Sequence, residues 1–155
     1  MTHLEEGQQA PNFKGSDQDG NNISFEDYKG KKLILFFYPK DNTPGCTAEA
    51  CNLQDNFTAW KNKGYEILGV SPDTVDSHKK FTTKFGFEYP LLADPEKETL
   101  KIYGVYGPKK MYGRETIGVY RTTFVIDENG VIQKIFKKVK TKEHTEQIMT
   151  AIEKQ

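Results

Sequence analysis

Phe37-Tyr38-Pro39-Lys40-Asp41-Asn42-Thr43-Pro44-Gly45-Cys46-Thr47-Ala48-Glu49-Ala50-Cys51, or FYPKDNTPGCTAEAC, holds both cysteines of this 155-residue chain. The run Leu33-Ile34-Leu35-Phe36-Phe37-Tyr38 is continuously apolar and follows Lys31-Lys32, the pattern of a strand buried on both faces. Pro39 stops it, because proline donates no ladder hydrogen bond. After the Thr43-Pro44-Gly45 break, apolar residues recur at Cys46, Ala50, Leu53, Phe57 and Trp60. That spacing predicts one helix ending at Lys63-Gly64, with Gly64 as its C-cap. The order strand, loop, helix puts Cys46 in the first turn of the helix.

Working outward, residues 65–70 read as a second buried strand and Ser71-Pro72-Asp73 as a turn. Residues 75–85 predict a helix carrying Val75, Phe81 and Phe85, and residues 90–93 a short strand before a helix near 96–103. Residues 122–126 and 131–136 flank Asp127-Glu128-Asn129-Gly130, a hairpin signal because Asn-Gly tolerates positive φ. An earlier hairpin is expected around Asp19-Gly20, and an amphipathic helix over 142–152 closes the chain. Strands alternating with helices predict an α/β fold, a mixed and partly parallel central sheet with helices on both faces. This is the layout of a thioredoxin-like fold, expected as one domain over residues 1–155. Such sheets place chemistry at the carboxyl ends of strands, where the loop from Pro39 to Cys46 sits.

Lysine and arginine total 22 and so do aspartate and glutamate, so the formal net charge is zero. That balance gives no electrostatic reason to expect nucleic acid or an anionic membrane as partner. The apolar run at 33–38 falls far short of the roughly 20 residues that span a bilayer. The first residues, Met1-Thr2-His3-Leu4-Glu5-Glu6-Gly7, show neither a basic n-region nor an apolar h-region. A reducing cytoplasm is therefore the expected setting. There a cysteine pair is more often catalytic or metal-binding than structural.

In the first turn of a helix, free backbone N–H groups and the positive end of the dipole favour a thiolate, the form of cysteine that attacks. Cys46 also lies on the core-facing stripe. Cys51, five residues on, is turned by roughly 140° on an ideal helix. The Cα atoms of such a pair lie about 8 to 9 Å apart, beyond the disulfide limit of about 7 Å. A disulfide between them therefore requires the first turns to unwind, and Pro44, Gly45 and Thr47 are weak or terminal helix residues. Two alternatives stay open on the residues alone. Both thiols can be small buried hydrophobes, or ligands of a metal. His3, His78 and His144 are too scattered for compact zinc spacing, and are expected on the solvated surface. A thioredoxin-type C-x-x-C is absent.

The string Pro39-x-x-x-Thr43-x-x-Cys46 matches the active-site signature of the peroxiredoxins. With a second cysteine five residues later, the chain resembles the bacterioferritin comigratory protein (peroxiredoxin Q) subfamily, from Gly7-Gln8-Gln9-Ala10-Pro11-Asn12-Phe13 to the last helix. The resemblance implies that Cys46 is the peroxidatic cysteine, oxidised to a sulfenic acid by a hydroperoxide. Cys51 would resolve it as an intramolecular disulfide, which protects the sulfenic acid from over-oxidation. Thr43 would orient thiolate and peroxide, Pro39 would shield the thiolate, and the Cys46 N–H would help hold the peroxide oxygens. The family also uses an arginine on a distant strand. The chain has two arginines among its 22 cationic residues, and Arg121, opening Arg121-Thr122-Thr123-Phe124-Val125-Ile126-Asp127, has the family's context. Arg114 reads as surface.

Glu49 reads either as support for the site or as a residue that merely suits the helix dipole. Tyr38, Phe85 and Phe87 could line a pocket or be plain core. Lys134, Lys137, Lys138, Lys140 and Lys142 read as a solvated face without a nucleic-acid role. The resemblance implies no metal, haem or flavin, thioredoxin or glutaredoxin as reductant, and a monomer. Two rival readings are a general thiol–disulfide oxidoreductase and a redox-switch or holdase protein. Both would tolerate loss of Thr43 and Arg121 better than a peroxidase.

Overall fold

The computed structural model describes residues 1–153. Its strands are β1 (Lys14–Ser16), β2 (Asn22–Ser24), β3 (Lys32–Phe37), β4 (Tyr65–Ser71), β5 (Leu91–Ala93), β6 (Tyr106–Met111), β7 (Arg114–Val119), β8 (Thr122–Ile126) and β9 (Ile132–Phe136). The helices are α1 (Pro44–Asp55), α2 (Phe57–Asn62), α3 (Val75–Phe85), α4 (Glu98–Ile102) and α5 (His144–Glu153), with 3-10 turns at Phe25–Tyr28 and Thr141–Glu143.

Seven strands form one sheet in the order β2-β1-β5-β4-β3-β8-β9. The apolar run becomes β3 and takes a central place. It pairs parallel with β4 from Lys32↔Tyr65 to Phe37↔Val70, and antiparallel with β8 from Leu33↔Ile126 to Phe37↔Thr122. Alternation along the strands sorts the core into two layers. Leu33, Leu35 and Phe37 join Phe124, Ile126, Leu100 and Tyr103 on one face. Ile34, Phe36 and Tyr38 join Val125, Cys46, Ala50, Leu53, Trp60, Phe81 and Ile148 on the other, so α1, α2, α3 and α5 cover that face. This is the expected mixed sheet of a thioredoxin-like fold. Among the described residues, no helix is long and apolar enough to cross a membrane.

The helix expected from residue 46 to 63 is two helices. Asn56 leaves helical geometry (φ −108°, ψ 16°), and its side-chain Nδ2 donates to the Asn52 carbonyl at 2.8 Å. An asparagine that takes a carbonyl of the preceding turn competes with the backbone ladder. Gly64 does stand beyond α2 with φ +85°. The β6–β7 hairpin has no counterpart in the sequence reading. Its turn places Tyr112 (φ 54°) and Gly113 (φ 77°) in the left-handed region, where Asn-Gly is the usual signal. Pro108 within β6 further disguises a strand. Arg114 is exposed as expected.

The expectation of three solvated histidines holds only for His3. His78 and His144 are fully buried, because each ring finds polar partners inside the fold.

Gly69 on β4 lets the central layer close: a Cβ there would sit 2.8 Å from both Phe36 Cζ and Leu91 Cδ2. Phe36 stacks on Tyr38 at 5.5 Å and meets Tyr89 edge-on at 5.8 Å. Phe36→Ala should therefore lower the unfolding free energy by about 3–5 kcal/mol in urea titrations, with a lower midpoint and an unchanged slope.

Candidate active site

Helix α1 starts immediately after the loop that leaves β3. Thr43 is its N-cap by backbone geometry (φ −100°, ψ 156°), with no side-chain cap hydrogen bond, and Pro44 follows at the first position. The first helical hydrogen bond runs from Thr47 N–H to the Thr43 carbonyl, 2.8 Å. The N–H groups of Gly45 and Cys46 therefore have no acceptor within the helix, and the positive dipole end lies there too. Cys46 is 1% exposed and packs in the layer with Tyr38, Ala50 and Leu53.

The antiparallel register decides what stands opposite. Phe37 pairs with Thr122, so Arg121, one residue before β8, lands beside the carboxyl end of β3. Arg121 Nη2 donates to Cys46 Sγ at 3.2 Å, and Nη1 donates to Glu49 Oε1 at 2.7 Å. Cys46 and Glu49, three residues apart, share one face of α1. Gly45 makes the approach possible, since a Cβ there would lie 3.2 Å from Nη2. Burial opposes the charge of Arg121, but Glu49 and Cys46 outweigh it and hold its pKa raised.

Glu49, ambiguous in the sequence, is a fully buried member of this group. Its Oε2 has no hydrogen-bond partner, although Thr123 and His144 lie close by. The reason is proton counting. Gln147 Nε2 donates to the Lys138 carbonyl, which turns its Oε1 toward His144 Nδ1 at 3.0 Å. Nδ1 therefore carries the ring hydrogen. Nε2 is left as an acceptor for the Thr123 hydroxyl at 2.8 Å. That hydroxyl has no second proton for Glu49, and His144 Nε2, 3.5 Å from Oε2, has none either. Burial lifts the Glu49 carboxyl from 4.5 to about 7 despite the opposing guanidinium. Burial, aided by the Arg121 charge against a weaker pull from Gln147, lowers His144 from 6.5 to about 4. At neutral pH the contact is thus between neutral or half-ionised groups, not an ion pair.

Cys51 lies farther along the intact α1, half-buried, and both cysteines are free thiols. Burial first, then Asp55, pushes its thiol up. Thr43 donates its hydroxyl proton to the Lys40 carbonyl at 2.8 Å, which leaves the oxygen free to accept. Pro39 is half-buried in the same loop. Tyr38 belongs to the core, and Phe85 stacks on Phe87 at 5.9 Å. Asp41, Asp73 and His78 hold potential metal-ligand atoms within 4.8 Å of one another. Tyr38, Ser77, Ser71 and the Asp41 N–H already hydrogen-bond to the two carboxylates. A cleft of about 350 Å³ beside Gln9, Phe25, Tyr28 and Glu128 opens at the other end of β3, remote from this site.

The AhpC/TSA family model matches residues 6–135. The chain belongs to that family, and it is a peroxiredoxin. Peroxiredoxin Bcp of Bacillus subtilis is 39% identical over 149 residues, covering 96% of this chain and 95% of that protein. The Xanthomonas campestris bacterioferritin comigratory protein superposes with a TM-score of 0.84 at 33% identity, over 91% of this chain and 90% of that one. Peroxiredoxin Q of Xylella fastidiosa gives 0.91 at 30% identity, over 99% and 98%.

The two shifted groups of this peroxiredoxin act on stability with opposite signs. An acid raised from 4.5 to about 7 stabilises the fold at low pH and loses that contribution as pH rises through the window. A histidine lowered from 6.5 to about 4 stabilises at high pH and loses its contribution as pH falls below 6.5. Urea midpoints of the wild type should therefore change little between pH 5 and 6.5. Glu49→Gln should gain stability with rising pH, and His144→Gln should lose it, each by up to ~1.4 kcal/mol per pH unit. Parallel profiles for all three proteins would contradict the assignment.

Proposed function

We propose that Cys46 is the nucleophile of this thiol peroxidase and Cys51 its resolving partner, on the same chain. The observation that carries the reading is the Arg121 Nη2–Cys46 Sγ contact of 3.2 Å, made over the free N–H groups of a helix start. Hydrogen bonds to a charged acceptor are about twice as strong as neutral ones, so this geometry favours the thiolate and the charge that develops during attack. With its carboxyl raised to about 7, Glu49 is only partly ionised at neutral pH, which leaves part of the Arg121 charge to the sulfur. Cys51, held as a thiol, is the poorer nucleophile toward peroxide.

The thiolate attacks the terminal oxygen of ROOH. The O–O bond breaks, the sulfur gains OH, and RO⁻ leaves to take a proton. Thr43, its own proton given to Lys40, can accept a hydrogen bond from the bound peroxide, and Pro39 limits access by water. Cys51 then displaces hydroxide from the sulfenic acid as water, forming the disulfide. An external dithiol, thioredoxin or glutaredoxin, restores both thiols by exchange. The balance is ROOH plus dithiol giving ROH, water and disulfide. The Xanthomonas protein has alkyl peroxide reduction activity, which supports organic hydroperoxides beside hydrogen peroxide as substrates. The protein is read as a monomer of one domain. Its final residues, Lys154 and Gln155, lie outside the described residues. The need to keep both thiols reduced supports the cytoplasm.

On an intact α1 the two Cα atoms are about 8 to 9 Å apart, so the second step includes unwinding of its first turns. One equivalent of hydrogen peroxide should remove two thiols and two mass units from the wild type. Cys46→Ser should remove none, and Cys51→Ser should stop at a sulfenic acid. Arg121→Ala should slow thiol loss by roughly 10²–10³, yet still oxidise with a generic disulfide reagent. Thiols of the wild type that react no faster than free cysteine would sink the reading.

A further inference from the structure

A second buried polar cluster lies under the loop that carries Pro39 and Thr43, and the chemistry above does not use it. Asp41, 7% exposed, is its centre. Its Oδ1 accepts from the Tyr38 hydroxyl at 2.5 Å, and its Oδ2 accepts from Ser77 Oγ at 2.8 Å. Burial keeps Tyr38 a phenol and so a donor. The Asp41 N–H donates to Asp73 Oδ2 at 2.8 Å, which also accepts from Ser71 Oγ at 2.6 Å. His78, fully buried on α3, puts Nδ1 2.7 Å from Asp41 Oδ2 and Nε2 3.0 Å from the Leu92 carbonyl. A carbonyl only accepts, so Nε2 carries a hydrogen. Nδ1 then faces a carboxylate oxygen, and a further proton lies between ring and carboxylate. The result is a short, charge-assisted contact out of water.

This contact matters because most of the loop's other ties converge on the same residue, Asp41. Thr43 gives α1 no side-chain cap, and no acidic residue stands in its first turn. The Lys84 contact to Asn42 is exposed and 3.4 Å long. Asn42, between Asp41 and Thr43, has φ 59°, a left-handed conformation that asparagine adopts more readily than other side chains. Helix α3, by contrast, is anchored through Phe81 in the core. The loop's side-chain tie to the buried face of this fixed helix runs through the Asp41 carboxylate.

We propose that His78 is a positioning residue of the peroxidase site: through Asp41 it holds residues 39–43 in the form that lets Cys46 meet peroxide, and it resists the unwinding that lets Cys46 reach Cys51. The inference rests on the roles given above to the two cysteines. Losing the clamp slows the first step and spares or speeds the second.

Two substitutions separate this role from plain packing. His78→Asn keeps a donor at the level of Nδ1, toward Asp41, whereas His78→Gln keeps one only toward the Leu92 carbonyl. Rapid-mixing thiol and mass measurements with hydrogen peroxide should show His78→Gln slowed about ten- to a hundredfold in sulfenic acid formation, with disulfide formation unchanged or faster. His78→Asn should recover most of that loss. Amide exchange should quicken at residues 40–47 in His78→Gln while the core of α3 stays protected. Equal behaviour of the two variants, or both steps falling together with global stability, would overturn the proposal. If His78→Gln does not fold, Ser77→Ala removes a donor to the same oxygen and should act in the same direction, more weakly; no change in either step would overturn it. A wild type that ignores peroxide would instead defeat the roles given to the cysteines, and the exchange measurement would still report on the clamp.

Discussion

One guanidinium between two buried acids organises this protein. Arg121 gives one fork to Glu49 and the other to the sulfur of Cys46. A half-buried cation gains from being paired and hydrogen-bonded, so its charge is shared between the two acceptors and either gains when the other is neutral. The environment of Glu49 weakens its claim. Thr123 spends its proton on His144, His144 spends its own on Gln147, and Glu49 Oε2 is left without a donor. A side-chain amide at the end of the fold thus bears on the charge available at the reactive sulfur.

The helix that carries Cys46 meets two demands that pull in opposite directions. Its first turn must be formed, because free N–H groups and the dipole exist only at a formed helix end. On the proposed chemistry it must also open, because two cysteines five residues apart on one intact helix cannot bond. A weak start reconciles them: a proline and a glycine, no side-chain cap and no acidic residue. Local segments open at free energies well below that of the whole molecule when few contacts hold them. The rest of α1 is better anchored, with Leu53 fully buried and Tyr89 donating to the Ala50 carbonyl at 2.8 Å.

Two buried histidines serve the two sides of this site in different ways. His144 faces a donor and an acceptor and so remains a neutral ring that leaves Glu49 without a proton from outside. His78 faces two acceptors, and the proton between its ring and Asp41 binds the loop to α3. The partners of each nitrogen, not the residue type, decide the role.

The single sequence determined a good deal. The apolar run at 33–38 and the stripe after Gly45 implied strand, loop and helix, and the Asn-Gly hairpin and the alternation of elements implied the mixed sheet. These signals are local, since hydrophobic period and turn chemistry are written in neighbouring residues. The position of Cys46 in a first helical turn is of the same kind. What lay beyond reach depends on partners remote in the chain. Asn56 breaks the helix through a side chain that competes with the ladder, and the β6–β7 turn uses Tyr112 where asparagine is usual. His78 and His144 read as surface residues because nothing nearby announces the carbonyl, carboxylate and amide that receive them. Glu49 stayed ambiguous for the same reason. Only the pairing of β3 with β8 brings residue 121 over residue 46, and only burial turns that meeting into chemistry, because in water the attraction of a guanidinium for the sulfur or the carboxyl is largely screened.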